Sequence, residues 1–241
     1  MCIRDSYDMS CFVAWGDKLA SEGPAAFYSA DYFADYPPGY ILVLGLVSLV
    51  RKALQLSYES RWTYFLLALI PAICDCAAVV LLDHISRRYM GQGRAQRCLV
   101  LFAAFCPLTL FDTGIWKQID GAFALPLLLC FWLLEERRYL LAAVLYGVAL
   151  AIKPQALLAG PVLAVCFLVA IADAVRDGKS PLKSVGQIFG GAALALLPPL
   201  LAGLPFYGAK NLVPSLIDKY ITTASGYQYA TINAFLSLIH I

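Results

Sequence analysis

Acidic side chains are few in this sequence, and those near its beginning crowd into one stretch. Residues 7–39, YDMSCFVAWGDKLASEGPAAFYSADYFADYPPG, hold Asp8, Asp17, Glu22, Asp31 and Asp35 against a single cation, Lys18. A carboxylate held about 3 Å from a hydroxyl can take its proton as that oxygen attacks an electrophile. The complementary group is a cation that neutralises charge on the departing oxygen. Two lysines in polar turns between apolar runs have the right chemistry: Lys117, in Trp116-Lys117-Gln118-Ile119-Asp120, and Lys153, in Lys153-Pro154-Gln155. Gln118, Asp120 and Gln155 suit hydroxyl-rich ligands by hydrogen bonding; Trp15, Tyr28, Tyr36 and Trp116 suit them by stacking. Histidine offers no substitute base, because His84 stands beside an arginine cluster and His240 lies in a foreign-looking end.

The elements that must position these groups are membrane helices. Apolar residues make up 61% and charged residues 14% of the chain, against roughly 45–50% and 25% in soluble domains. With a mean hydropathy of +0.73, the composition implies an all-α polytopic membrane helical bundle. Residues 62–84 are long enough to cross. They are followed by Arg87, Arg88, Arg94 and Arg97 with no carboxylate among them, which marks the cytoplasmic side. Residues 98–110, 121–134, 139–152, 156–175 and 185–207 then alternate across the bilayer. That leaves the acidic stretch, the Trp116 turn, Lys153 and a second loop at 208–235 on the outer face. Residues 40–50 rise about 17 Å as a helix, too short for a core of about 30 Å. They are expected to form an interfacial or re-entrant helix, a short span being the alternative. The plan is a first outer loop with that helix (7–61), membrane helices (62–207) and an outer loop (208–235).

Each singled-out residue also has a plainer role open to it. Lys153 is placed to snorkel from a helix end, Asp120 to cap the helix that follows it, and Asp75 to hydrogen-bond within the bundle. Asp17, Lys18 and Glu22 read as a solvated helix face, and the aromatics as an interfacial belt. Of the eight cysteines, Cys74, Cys76, Cys98, Cys106, Cys130 and Cys166 lie in or beside apolar segments without zinc or disulfide spacing. They read as small buried hydrophobes. Asp31 and Asp35 sit four apart, which leaves a divalent cation open as the lesser alternative, but without further ligands no metal site is assigned and no cofactor is firmly expected.

Both ends look foreign. Residues 1–6 and 236–241 can be encoded by reverse-complementary nucleotide stretches that resemble a transposon mosaic-end adapter. They are left out of the functional argument, and the chain is expected to be an internal fragment truncated at both ends.

Asp8 alone would be unremarkable; the pattern after it gives it weight. Asp8 before Trp15, then Phe27-Tyr28, then Asp35-Tyr36-Pro37-Pro38, resembles the first outer loop of GT-C glycosyltransferases, most closely the dolichol-dependent glucosyltransferases of asparagine-linked glycan assembly. The likeness continues through Tyr58-Glu59-Ser60-Arg61, Asp75 and Lys153-Pro154-Gln155. Trp116-Lys117-Gln118-Ile119-Asp120 and Thr231-Ile232-Asn233-Ala234-Phe235 are more similar to bacterial relatives of the second mannosyltransferase of GPI-anchor assembly. The glucosyltransferases have a His-Phe-Gln-Tyr-Asn type of turn where this chain has Trp-Lys-Gln-Ile-Asp, so sugar and acceptor do not carry over.

The resemblance implies an inverting hexose transfer, of mannose as the first choice, from a polyprenyl-phosphate sugar to an external glycan, lipid or protein acceptor. Asp8 would be the base. Lys153, then Lys117, would bind the donor phosphate, and Asp35, Tyr36, Trp116, Gln118, Asp120 and Gln155 would line the substrate site. It also implies a bacterial plasma membrane with the site on its outer face. A lipid-linked donor agrees with the lack of a glycine-rich phosphate cradle, and no nucleic-acid partner is expected. The rivals are a transporter or lipid flippase, which would show inverted repeats not found here, and an inactive membrane assembly protein.

Overall fold

A computed structural model describes residues 3–29, 32–178 and 181–225; the side chains of residues 3–8, 181–185, 188 and 224 lie outside the described set. The fold is an all-α bundle, with no strand among the described residues. Helices α1 (Ile3–Glu22) and α2 (Pro38–Ala53) precede a long α3 (Arg61–Met90). Helix α4 (Arg94–Ala104) continues through a single turn, α5 (Pro107–Thr109), into a π-helical turn, Leu110–Trp116. Helices α6 (Asp120–Glu135) and α7 (Tyr139–Ile152) follow, then a 3₁₀ segment, Pro154–Ala159, α8 (Gly160–Arg176) and α9 (Pro181–Ser225).

Segments Arg61–Met90, Arg94–Trp116, Pro154–Arg176 and Phe189–Thr223 are long and apolar enough to cross a bilayer. Their most apolar windows are only 6–28% buried, so their hydrophobic side chains face outward, as contact with lipid requires. Phe102, Leu108 and Leu158 are among the most exposed residues. Cys76 and Cys98 also face outward; of the expected buried cysteines only Cys130 is fully so, and the described cysteines are free. The Arg-rich end is tied laterally. Arg88 pairs with Glu136, Arg87 lies 2.7 Å from Asp83, and Gln96 donates to Asp83 at 2.8 Å. Glu136, which blurs the charge pattern of its own turn, is therefore the partner of an arginine on α3.

Helices α6 and α7, of 16 and 14 residues, are only about 24 and 21 Å long, short of a 30 Å core. Helix α6 runs from beside the middle of α3 to the Arg-rich end, and α7 returns along it so that its last residues reach the start of α6. There Gly121 packs so closely that a Cβ would collide with Asp75 and the Pro71 carbonyl. Polar chain ends are thereby held at depth, where irregular backbone survives only under protein cover. Helix α2 supplies part of that cover, since Gly39 sits directly on the Ala151 backbone of α7.

Two expectations are corrected. The acidic stretch is not a loop throughout: Ile3–Glu22 is helical. Met9, Phe12, Val13 and Gly16 recur at helical spacing and bury one face; the first three are 3–4% exposed, and Gly16 lets Leu44 of α2 approach. Residues 208–235 are not an outer loop over their described part. The helix breaks at Gly208, with φ 63°, and continues to Ser225. The second arm folds back, so that Leu212 and Leu216 pack at Gly203 and the Tyr220 hydroxyl donates to the Leu150 carbonyl at 2.6 Å.

Asp17 is also not part of a solvated face, although Lys18 and Glu22 do pair there at 2.6 Å. Arg51 reaches both Asp17 oxygens at 2.6 and 2.7 Å, Ser48 donates to the same carboxylate, and Arg51 also holds the Leu56 carbonyl at 2.8 Å. Burial alone would raise the Asp17 pKa. The bonds from Arg51 and Ser48, with the Arg51 and Lys52 charges, outweigh it and hold the carboxyl below its ordinary value. A depressed folded-state pKa stabilises above the unfolded value, and that stabilisation is lost as pH falls through the folded one. Arg51→Met should therefore cost about 1–3 kcal/mol at neutral pH, measured by thermal or SDS unfolding, and the gap to wild type should narrow on acidification below the ordinary carboxyl range.

Candidate active site

Helix α7 ends because Pro154 cannot continue it and the backbone turns extended at Lys153 (φ −139°, ψ 136°). This swings the Lys153 side chain inward, where it is 12% exposed and bonds the Asp120 carboxylate at the start of α6. It does not snorkel. Asp120 is likewise not a cap residue: Ile119 holds that position without a side-chain bond. The Lys153 ammonium also lies 5.9 Å from the centre of the Tyr36 ring, within cation–π range.

Tyr36 is fixed from behind. Its ring meets Trp15 and Phe12 of α1 at 5.5 and 5.7 Å, and its carbonyl accepts from the Tyr28 hydroxyl at 2.9 Å. Burial raises the Tyr28 pKa well above its usual value, so that hydroxyl stays a donor. Trp15 is 4% exposed and donates to the Phe33 carbonyl at 2.9 Å. Trp15 and Tyr28 thus build the wall of the site and are not free sugar platforms. The return arm of α9 clamps the same loop: Thr223 donates to the Asp35 carbonyl at 2.9 Å, and Lys219 bonds the Ala34 carbonyl. Lys219 stands 5.0 Å from the Tyr28 ring centre and within electrostatic reach of the Asp35 carboxylate.

Beside this cluster, a cavity of about 390 Å³ opens between α3, the π-turn and α6. Asp75, Asp112, Thr113, Trp116, Asp120 and Gly121 line it. Thr113 donates to Asp75 at 2.5 Å, which gives Asp75 the bundle hydrogen bond expected of it. Asp120 belongs both to the cavity wall and to the Lys153 pair, so the two features are continuous.

Lys153 meets Asp120 and the Tyr36 ring, Asp35 instead lies within electrostatic reach of Lys219, and Trp116 lines the cavity with Asp120. Lys117 turns back onto the Gly114 carbonyl in a left-handed conformation (φ 58°), and burial lowers its pKa; it does not line the cavity. The backbone N–H of Gln118 donates to the Asp112 carbonyl at 3.0 Å. Gln155 is exposed in the 3₁₀ segment. Asp8 lies in α1 one turn before Phe12, its side chain outside the described set. Asp31 and the Thr231-to-Phe235 motif also fall outside the described residues. No group of His, Cys, Asp or Glu able to hold a metal occurs among the described residues. Sequence reasoning overlooked Asp112 and Lys219. Helical spacing of Leu212, Leu216 and Tyr220 was the available signal for Lys219.

A family model described as Glycosyltransferase family 87 matches residues 33–235. The match takes in Asp35, the cavity, Lys153 and Lys219, and begins after α1. No curated protein and no solved structure matches the chain.

Proposed function

The chain belongs to glycosyltransferase family 87 and is an integral membrane glycosyltransferase, and on that premise we propose that it transfers a hexose, mannose in the first instance, from a polyprenyl-phosphate sugar to an acceptor on the outer face of a bacterial plasma membrane. The observation that carries this reading is Lys153: a mostly buried ammonium at membrane depth, bonded to Asp120 beside a polar cavity. Ionisable groups at such depth are costly and are kept for function or pairing. An ammonium has three protons, so Lys153 can keep Asp120 and still meet a phosphate oxygen as the glycosidic bond breaks. Lys219, beyond Tyr36 on the other side of the loop, replaces Lys117 as the second cation. Asp8 takes the proton of the acceptor hydroxyl, and attack opposite the leaving phosphate inverts the anomeric carbon.

A transporter reading is not favoured by the family membership. Membranes carrying the protein, given radiolabelled polyprenyl-phosphate mannose, should convert label to a glycosylated product and release polyprenyl phosphate. Label that crosses the membrane with its lipid linkage intact would point to transport and overturn the reading.

A further inference from the structure

We propose that the cavity beneath the π-turn is the pocket for the hexose ring of the donor, with Asp112 and the indole N–H of Trp116 selecting for sugar hydroxyls. The inference rests on the lipid-phosphate donor reading and adds the place and chemistry of sugar recognition. A hexose joined to a phosphate by one bridging oxygen must sit immediately beside whatever binds that phosphate. The space that meets Lys153 through Asp120 is this cavity. Its volume, about 390 Å³, falls at the small end of the roughly 300–1,000 Å³ typical of ligand pockets and gives room for a hexose ring.

The polar groups in its wall are unequal. Asp75 is already engaged by Thr113, and Asp120 by Lys153. The Lys153 charge acts on the Asp112 carboxylate, but among the described residues no side-chain hydrogen bond holds it, and the Trp116 Nε1 is buried without a partner. A buried donor left without a partner is destabilising unless a ligand satisfies it. The two groups are complementary in the way a hydroxyl requires, since the carboxylate only accepts and the indole only donates. They stand four residues apart on one helical turn, where neighbouring side chains meet, a spacing suited to adjacent hydroxyls on one ring edge. Phe111, with its ring 6.1 Å from Trp116, and Leu108 add apolar surface for the C–H face of a sugar. A lipid tail would leave the carboxylate stranded, and a bare phosphate would be repelled by it.

The test compares equilibrium binding of heptaprenyl-phosphate mannose with that of heptaprenyl phosphate, using the solubilised chain. Wild type should bind the sugar-bearing lipid about tenfold or more tightly, one good hydrogen-bonded contact's worth. Asp112→Asn and Trp116→Phe should each erase most of that increment while binding heptaprenyl phosphate as wild type does. Unchanged increments in both variants, or no increment in wild type, would overturn the pocket while leaving the donor reading intact. Failure of wild type to bind either lipid would overturn the donor reading and the pocket with it. Trp116→Phe keeps the ring and its packing, so loss of sugar preference there is separable from misfolding.

Discussion

Asp8→Asn should lower kcat by about 10²- to 10⁴-fold, the usual share of a positioned general base, while leaving donor binding near wild type. Asparagine keeps the size and hydrogen-bonding reach of aspartate but cannot take a proton. The expectation draws on the frame around the residue. Phe12 follows Asp8 by one turn of α1 and packs on Tyr36, and Tyr36 faces the Lys153 ammonium. A turn of helix is about 5.4 Å, so the backbone of residue 8 stands near the aromatic wall that carries the phosphate-binding side. Asp8→Glu should retain more activity than Asp8→Asn, because a carboxylate survives with displaced geometry. The measurement is single-turnover transfer from saturating labelled donor, with helicity and solubility as folding controls. Wild-type turnover by a folded Asp8→Asn protein would remove the base from the mechanism and send the search to Asp112, the unengaged carboxylate of the cavity.

The spans were readable because hydropathy is a local property. Helix α7 matches its sequence bounds, residues 139–152, and the Arg87–Arg88 cluster does end α3. Failures came where polar residues decorate a helix that hides its apolar face. The acidic content of residues 7–22 disguised the spacing of Met9, Phe12, Val13 and Gly16. Lys210 and Asp218 likewise made the α9 return arm look like loop. At the site, Lys153 and Asp120 were named but not their bond, since partners 33 residues apart leave no local trace. Lys219 and Ala34 are 185 apart, beyond any spacing rule. Asp112 was visible in the Phe111-to-Asp120 turn, yet only the π-helical winding of Leu110–Trp116 brings it into the cavity wall with Trp116.

Lys153→Met should cut kcat/KM for the lipid donor by about 10²- to 10³-fold, the loss typical of removing one donor to a developing oxyanion. Stability should change little, because the partner left behind is half in solvent: the Asp120 side chain is 50% exposed, against 12% for Lys153. An exposed carboxylate rehydrates, and ion pairs with such a member contribute roughly 0–1 kcal/mol. The reciprocal change separates the roles of the pair. Asp120→Asn leaves the ammonium at depth with less to hold it, so inhibition by bare polyprenyl phosphate should persist or strengthen even as sugar transfer falls. If Lys153 were only a strut between α6 and α7, both variants would lose stability together and neither would alter donor kinetics. Divergent effects, with Lys153→Met losing phosphate affinity and Asp120→Asn keeping it, require the ammonium to touch the leaving group. In affinity for bare polyprenyl phosphate the double variant then behaves like Lys153→Met alone, since removing the carboxylate cannot matter to a cation that is no longer there.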